Sequence, residues 1–212
     1  MDKRNNTIFV KDCGCTRYFT SDTHFGTKND ILEREMRPFS SMKEYEDTQI
    51  HIWNEQAGEN DLIYHLGDFC NYSRTYKNYP NGLFSISRVN AKVILIIGNN
   101  EERIIEEIFE GDFEKFREKC IQYGFYDVKR NDCVYIGDKK FFLNHYPKKY
   151  DDTCLNLFGH THRTTGLYKP FGFNVGTDLN HFRLYSEEDI LFLLDMKEKW
   201  WNEDVDTNIQ KR

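Results

Sequence analysis

Short apolar runs recur along this chain, and most end at a glycine or tight turn followed by a side chain able to bind a metal. Residues 17–21 predict a strand that delivers Asp22 and His24 into a loop. Residues 61–66 form a second apolar run, ending at Gly67-Asp68, and residues 93–97, rich in β-branched positions, a third ending at Gly98-Asn99. Residues 133–136 and 140–144 flank Gly137-Asp138, a hairpin signal, and the second of these strands leads into His145. Residues 155–158 run into Gly159-His160, and residues 171–175 predict a further strand.

Helical periods separate these runs. Ser41 and Glu44 have capping-box spacing after Pro38, and Met42, Tyr45, Ile52 and Trp53 then recur at helical intervals. Residues 101–109 carry Ile104, Ile105 and Ile108 on one face, residues 113–123 close at Gly124, and residues 186–197 begin with a Ser-x-x-Asp cap. Strands alternating with helices predict an α/β fold. Sites in such folds form outside the carboxyl ends of the strands, where loops from distant parts of the chain converge. Residues 71–82, rich in Asn, Gly and Tyr, read as a mobile surface loop beside that site.

The length of 212 residues suits one domain over residues 1–200 with a polar tail at 201–212, and 17 Phe and 13 Tyr supply a core despite a 30% charged fraction. A net charge of −6 gives no footprint for bulk duplex nucleic acid. It does not exclude a phosphorylated substrate, because two divalent cations would outweigh Asp22 and Asp68 locally. Six cysteines are scattered rather than set in a framework, and Cys13-Gly14-Cys15 lacks redox or zinc spacing, so thiols in a reducing compartment are expected. The first six residues are polar and no run reaches about 18 apolar residues, which predicts a cytoplasmic protein without a membrane span.

Seven residues carry the candidate chemistry: Asp22, His24, Asp68, Asn99, His145, His160 and His162. Each block alone is weak, since a lone buried histidine is usually a hydrogen-bonded core residue. Four of the seven histidines in the chain nevertheless fall in these blocks, and Gly159-His160-Thr161-His162 sets two imidazoles two residues apart. Imidazoles, carboxylates and one amide oxygen suit Mn²⁺, Fe²⁺ or Zn²⁺ better than Mg²⁺ or Ca²⁺.

The order Asp-x-His, Gly-Asp, Gly-Asn, His, Gly-His-x-His resembles the calcineurin-like metallophosphoesterase superfamily over residues 17–190. Ser21-Asp22-Thr23-His24-Phe25-Gly26, Arg37-Pro38-Phe39, Trp53-Asn54, His65-Leu66-Gly67-Asp68-Phe69 and Asn174-Val175-Gly176-Thr177-Asp178 are similar to a small bacterial and phage-type branch. The resemblance implies a four-layer αββα sandwich of two mixed sheets flanked by helices. It implies one ion on Asp22, His24, Asp68 and His162 and a second on Asp68, Asn99, His145 and His160, with Mn²⁺ first and Fe²⁺, Zn²⁺ or Ni²⁺ as alternatives. The implied activity is hydrolysis of a small phosphoester by a metal-bridging hydroxide attacking in line, so Asp68, Asn99, Asn100 and His160 are the candidate catalytic residues.

One position departs from the family. Where its members usually continue Gly-Asn with His, this chain has Asn100, which donates a hydrogen bond but no proton. That loss penalises poor leaving groups most, and the expected substrate is a nucleotide-like or other small phosphodiester. The alternatives are a phosphomonoesterase with His181 or His65 as substitute acid, or a metal-binding scaffold without turnover. Thr27 replaces a histidine common near the site in this branch. Asn100, Arg163 and His181 are candidate substrate contacts. His65 fits a core hydrogen bond better than catalysis, Lys148-Lys149 a solvated face, and His51 carries no role. A monomer or small homo-oligomer is expected.

Overall fold

The computed structural model describes residues 14–26, 30–72, 79–150, 152–164 and 166–201. Its strands form two five-stranded sheets. In the first, β1 (Arg17–Thr20), β2 (Leu62–His65), β3 (Lys92–Ile96) and β4 (Asp127–Lys129) are parallel, and β10 (Tyr185–Ser186) joins the edge antiparallel to β1. The second has the order β5-β6-β7-β9-β8. There β5 (Asp132–Ile136) and β6 (Lys139–Leu143) form the expected hairpin, β6, β7 (Leu155–Phe158) and β9 (Gly172–Asn174) are parallel, and β8 (Tyr168–Lys169) returns antiparallel.

The burial of each strand explains its apolar pattern. The first sheet is covered on both faces, so its inner strands are nearly continuous in Ile, Leu and Val. Ile63, Val93 and Leu95 face a helical layer, whereas Phe19, Tyr64, Ile94 and Ile96 face the second sheet and join Phe141, Leu143, Leu157 and Phe173 in a common core. The second sheet alternates in β5, with Val134 and Ile136 inward and Tyr135 outward. The helical layer comprises α1 (Asp30–Arg34), α2 (Met42–Gln56), α3 (Tyr79–Phe84), α4 (Asn99–Ile108) and α5 (Phe113–Tyr123), which bury Leu32, Trp53, Leu83, Ile104 and Phe116 against the first sheet. A sixth helix, α6 (Glu187–Trp201), places Ile190, Leu193 and Leu194 in the inter-sheet core and packs on β10, β1 and β5, covering an edge strand of each sheet. No helix among the described residues is long and apolar enough to cross a membrane.

The mixed α/β architecture with two mixed sheets is the expected one. Helix α5 and strand β7 have the predicted bounds, and Ser41 caps α2 by accepting from the Glu44 amide at 3.2 Å. One expectation is corrected. The loop placed at residues 71–82 ends inside α3, where Gly82 is clamped so closely that a Cβ there would stand 2.3 Å from the Phe25 carbonyl oxygen. Thr27, Cys13, residues 73–78 and the tail after Trp201 lie outside the described residues.

Candidate metal centre

All the parallel strands deliver their carboxyl ends to one edge of the sandwich. From β1 come Asp22 and His24, from β2 Asp68, from β3 Asn99 and Asn100, from β6 His145, and from β7 His160 and His162. Backbone hydrogen bonds continue past the strand ends and tie these loops together: Asp22 N to Gly67 O and His24 N to Asp68 O, both 3.0 Å, and Gly159 N to His145 O, 2.9 Å. Ser21 pairs with Gly176 as an isolated parallel bridge, so the two sheets are joined where the site lies.

The seven candidates converge in two halves around one carboxylate. His24 Nε2 lies 3.2 Å from His162 Nε2, and His145 Nε2 lies 3.1 Å from His160 Nδ1 and 3.0 Å from Asn99 Oδ1. Asp68 stands between them, Oδ2 at 3.7 Å from His24 Nε2 and Oδ1 at 3.6 Å from His145 Nε2. Asp22 is fully buried and holds the His160 amide at 2.9 Å and the Ser21 hydroxyl at 2.5 Å. Asp22, His24, Asp68, His160 and His162 all have φ between 45° and 69°. Left-handed backbone costs roughly 1–2 kcal/mol per non-glycine residue, and its concentration in one place marks a site whose geometry the surrounding fold enforces.

Buried partners orient these side chains. His145 Nδ1 donates to the Leu66 carbonyl at 2.8 Å, which turns Nε2 toward the site. His162 Nδ1 donates to Asp178 Oδ2 at 2.9 Å, and Asp178 is gripped bidentately by Arg37 at 2.8 and 2.9 Å. The same guanidinium donates to the carbonyls of Asp22 and Thr23, and its charge lies 4.7 Å over the Tyr45 ring. Glu101, fully buried, accepts from the amides of Asp68 and Gly98, each at 2.8 Å, and of Phe69 at 3.0 Å, knitting the β2 and β3 loops. Asn100 donates to Asp68 Oδ2 at 2.7 Å and accepts from Tyr72 N at 3.3 Å.

Electrostatics follow from this burial. Desolvation and the neighbouring Asp68 push the Glu101 carboxyl up to about 7, and desolvation with the nearby Asp22 raises Asp68. Burial lowers His24 well below the usual imidazole range, helped by His162. Burial also pulls on His145 and His162, but carboxylates reverse it, and both end raised. Asp178 is held low despite its burial, because His162 and Arg37 donate to it.

A family model described as calcineurin-like phosphoesterase matches residues 16–211, nearly the whole chain. The chain belongs to that family. An uncharacterized protein, MJ1445, from Methanocaldococcus jannaschii is 33% identical over 184 residues, covering 84% of this chain and 90% of its own. A crystal structure of AQ665, a protein of unknown function from Aquifex aeolicus, superposes with a TM-score of 0.61 at 22% identity over 84% of this chain and 99% of that one. The phosphoesterase YfcE from E. coli aligns with a TM-score of 0.39 at 16% identity over 76% and 78% of the two chains.

Membership in the calcineurin-like phosphoesterase family brings divalent-metal chemistry and phosphoric ester hydrolysis, and the residues fit such ions. Asp22, His24 and His162 cluster as one potential ligand set, and Asp22, Asp68 and His145 as another. Imidazole nitrogens face each other at 3.2 and 3.1 Å beside buried carboxylates, and the buried Arg37 is already bound to Asp178. A cation between such donors relieves the repulsion of their lone pairs and charges.

Not every sequence candidate joins this centre. Asn100 was expected to face the phosphate, but it is only 4% exposed and its amide is engaged by Asp68, so in this structure it orients that carboxylate. Arg163 and His181 are exposed, and among the described residues no hydrogen bond of the site involves either. His65 fills the core role: Nε2 is 3.0 Å from Thr23 Oγ1, which itself donates to Phe69 O, and burial lowers the imidazole to about 3. Held neutral, it is no substitute acid. Lys149 pairs with Asp152 and Lys148 lies 5.9 Å from the Tyr150 ring, on the surface, and His51 is exposed on α2. In the sequence Arg37 and Asp178 stand out only as family-like residues, without a role of their own. Their 141-residue separation leaves no local signal of the pairing.

Proposed function

We propose that this calcineurin-like phosphoesterase is a dinuclear metal-dependent phosphodiesterase. One ion would be held by Asp22, His24, Asp68 and His162, the other by Asp68, Asn99, His145 and His160, with Mn²⁺ the first candidate. The observation carrying this is the placement of Asp68, each of whose oxygens faces a histidine of a different opposed pair, at 3.7 and 3.6 Å. When bound, two divalent ions supply positive charge for the phosphoryl oxygens and lower the pKa of a water so that it is nucleophilic near neutral pH. The chain supplies the rest. Asp68 is aligned by the Asn100 amide and side chain at 2.9 and 2.7 Å, and Asp22 is fixed by Ser21 and the His160 amide.

Specificity for diesters is supported by position 100. The side chain there has no proton to give a departing oxygen, and His65, buried and held neutral, does not replace it. General-acid assistance is worth about 10²–10⁴-fold, and its absence weighs most on the alkoxide of a monoester. A small nucleotide-like or similar phosphodiester is the substrate class, and a reducing cytoplasm, where the buried Cys70 and Cys120 remain thiols, is the compartment we assign.

The test is hydrolysis of bis(p-nitrophenyl) phosphate against p-nitrophenyl phosphate by metal-stripped protein reloaded with Mn²⁺, with metal content measured in parallel. We expect two ions per chain, diester preference of at least tenfold, and no turnover by Asp68→Ala. Equal or greater monoester turnover would overturn the diester assignment, and an active Asp68→Ala variant would overturn the shared-ligand centre.

A further inference from the structure

Tyr146 is an aromatic ring beside the centre. It meets the His145 and His160 rings edge to face, with centroids 5.1 and 5.0 Å away. Two sets of contacts fix it. Its hydroxyl donates to Glu102 Oε2, in the first turn of α4, at 2.6 Å. Its backbone is pinned from beneath: Tyr146 N donates to Asn144 Oδ1 at 2.8 Å, and Asn156, a side chain from the middle of β7 that is only 2% exposed, donates to the carbonyls of Tyr146 and Lys148 at 3.2 and 3.0 Å. The ring itself stays partly open to solvent. A buried amide devoted to one surface turn, and a phenol tethered to a neighbouring helix, hold this ring in a fixed place beside two of the candidate ligands.

We propose that Tyr146 is the specificity-determining residue of this site, a fixed platform on which a planar aryl or nucleobase arm of the substrate stacks while the phosphoryl group lies among the candidate ligands. Both imidazoles beside the ring belong to the half-site of Asn99; His145 is buried, but His160 is exposed and Asn99 half-buried, whereas His24 and His162 are both buried. The open approach therefore passes Tyr146. With centroids 5.1 and 5.0 Å from those of His145 and His160, the ring borders the space that an arm one or two bonds from a phosphorus held by these histidines would occupy. Stacking on an aromatic side chain tolerates every base, since every base has a π-face, and so selects planarity rather than sequence. Tyr146 acts on binding and not on bond cleavage, and Glu102 and Asn156 act through it as positioning residues.

The proposal rests on the phosphoesterase assignment for its substrate class, and its test needs no turnover. Phenylphosphonate and methylphosphonate, neither of them hydrolysable, are titrated by calorimetry into the Mn²⁺-loaded full chain as wild type, Tyr146→Phe and Tyr146→Leu, with melting temperatures confirming that each variant is folded. We expect phenylphosphonate to bind about tenfold more tightly than methylphosphonate in wild type, within the range of one stacking contact, a smaller preference in Tyr146→Phe, which keeps the ring but loses the Glu102 tether, and the ratio to fall at least fivefold in Tyr146→Leu. An unchanged ratio in the leucine variant, no preference in wild type, or no binding of either compound would overturn the proposal. Failure of diester turnover with the expected binding pattern would instead count against the diesterase assignment alone.

Discussion

At the scale of single residues, the centre depends on side chains that lie behind the candidate ligands. Arg37 makes four hydrogen bonds in a fully enclosed position, two to Asp178 and two to the carbonyls of the Asp22-Thr23 segment. A lysine cannot reproduce that planar fork. We expect Arg37→Met, which leaves Asp178 unpaired, to cost about 3–5 kcal/mol in denaturant unfolding, Arg37→Lys, which keeps the charge but loses the fork, to cost less, and the isosteric Asp178→Asn to weaken metal binding about 10–100-fold. A loss of stability in Asp178→Asn without a change in metal affinity would show that the His162 contact is structural only. The ligand blocks were legible in the sequence because a turn after a strand constrains residue type locally. Arg37 and Asp178 were visible as residues but not as a pair, since only the tertiary fold brings them to His162.

At the scale of elements, segments with a period or with a turn signal beside an apolar run were readable, and most of the shortest strands were not. Helix α5 carries enough positions to establish a period and β7 is an apolar run ending at Gly159, whereas β4, β8 and β10 have two or three residues each and exist only because a neighbouring strand accepts them. Helix α3 was hidden by Pro80 and Gly82, residues that normally signal loops. Glycine at 82 is there for space, and the same holds for Gly159 where β7 enters the site. A Cβ at 159 would stand 2.1 Å from Ser21 Oγ and 2.3 Å from Asp22 Oδ2, so the substitution must part the β1 loop from the β7 loop. Gly159→Ala is expected to destabilise by about 1–3 kcal/mol and to displace Asp22, with a matching loss of bound metal. Retention of metal at wild-type affinity, measured by calorimetric titration, would mean that the loops relax without moving the carboxylate.

At the scale of the whole molecule, the two sheets and their crossovers assemble a concentration of buried negative charge that the metal-free fold tolerates poorly. Asp22, Asp68 and Glu101 are at most 3% exposed, and the buried Arg37 already serves Asp178. Burial raises the carboxyls of Glu101, to about 7, and of Asp68. A raised carboxyl in the folded state keeps a proton that the unfolded chain has released, so its contribution favours folding in mild acid and is lost as pH rises through the folded value. For Glu101 that window runs from about 4.5 to about 7. Divalent ions act in the opposite direction, because they stabilise ionised carboxylates and neutral imidazoles and are displaced by protons. Comparing loaded with chelated protein at each pH cancels groups outside the centre, including His65. At pH 7.5, with Mn²⁺ about 100-fold above its dissociation constant, each bound ion contributes about 2.7 kcal/mol, and the two proposed ions together give a rise of roughly 10–20 °C in melting temperature for a chain of this size. At pH 5.5 the rise shrinks to a few degrees or less, and in Asp68→Asn it is largely lost at both pH values. A melting temperature indifferent to chelation at pH 7.5, or one that gains more from Mn²⁺ at pH 5.5, would mean that these carboxylates do not form the cation site.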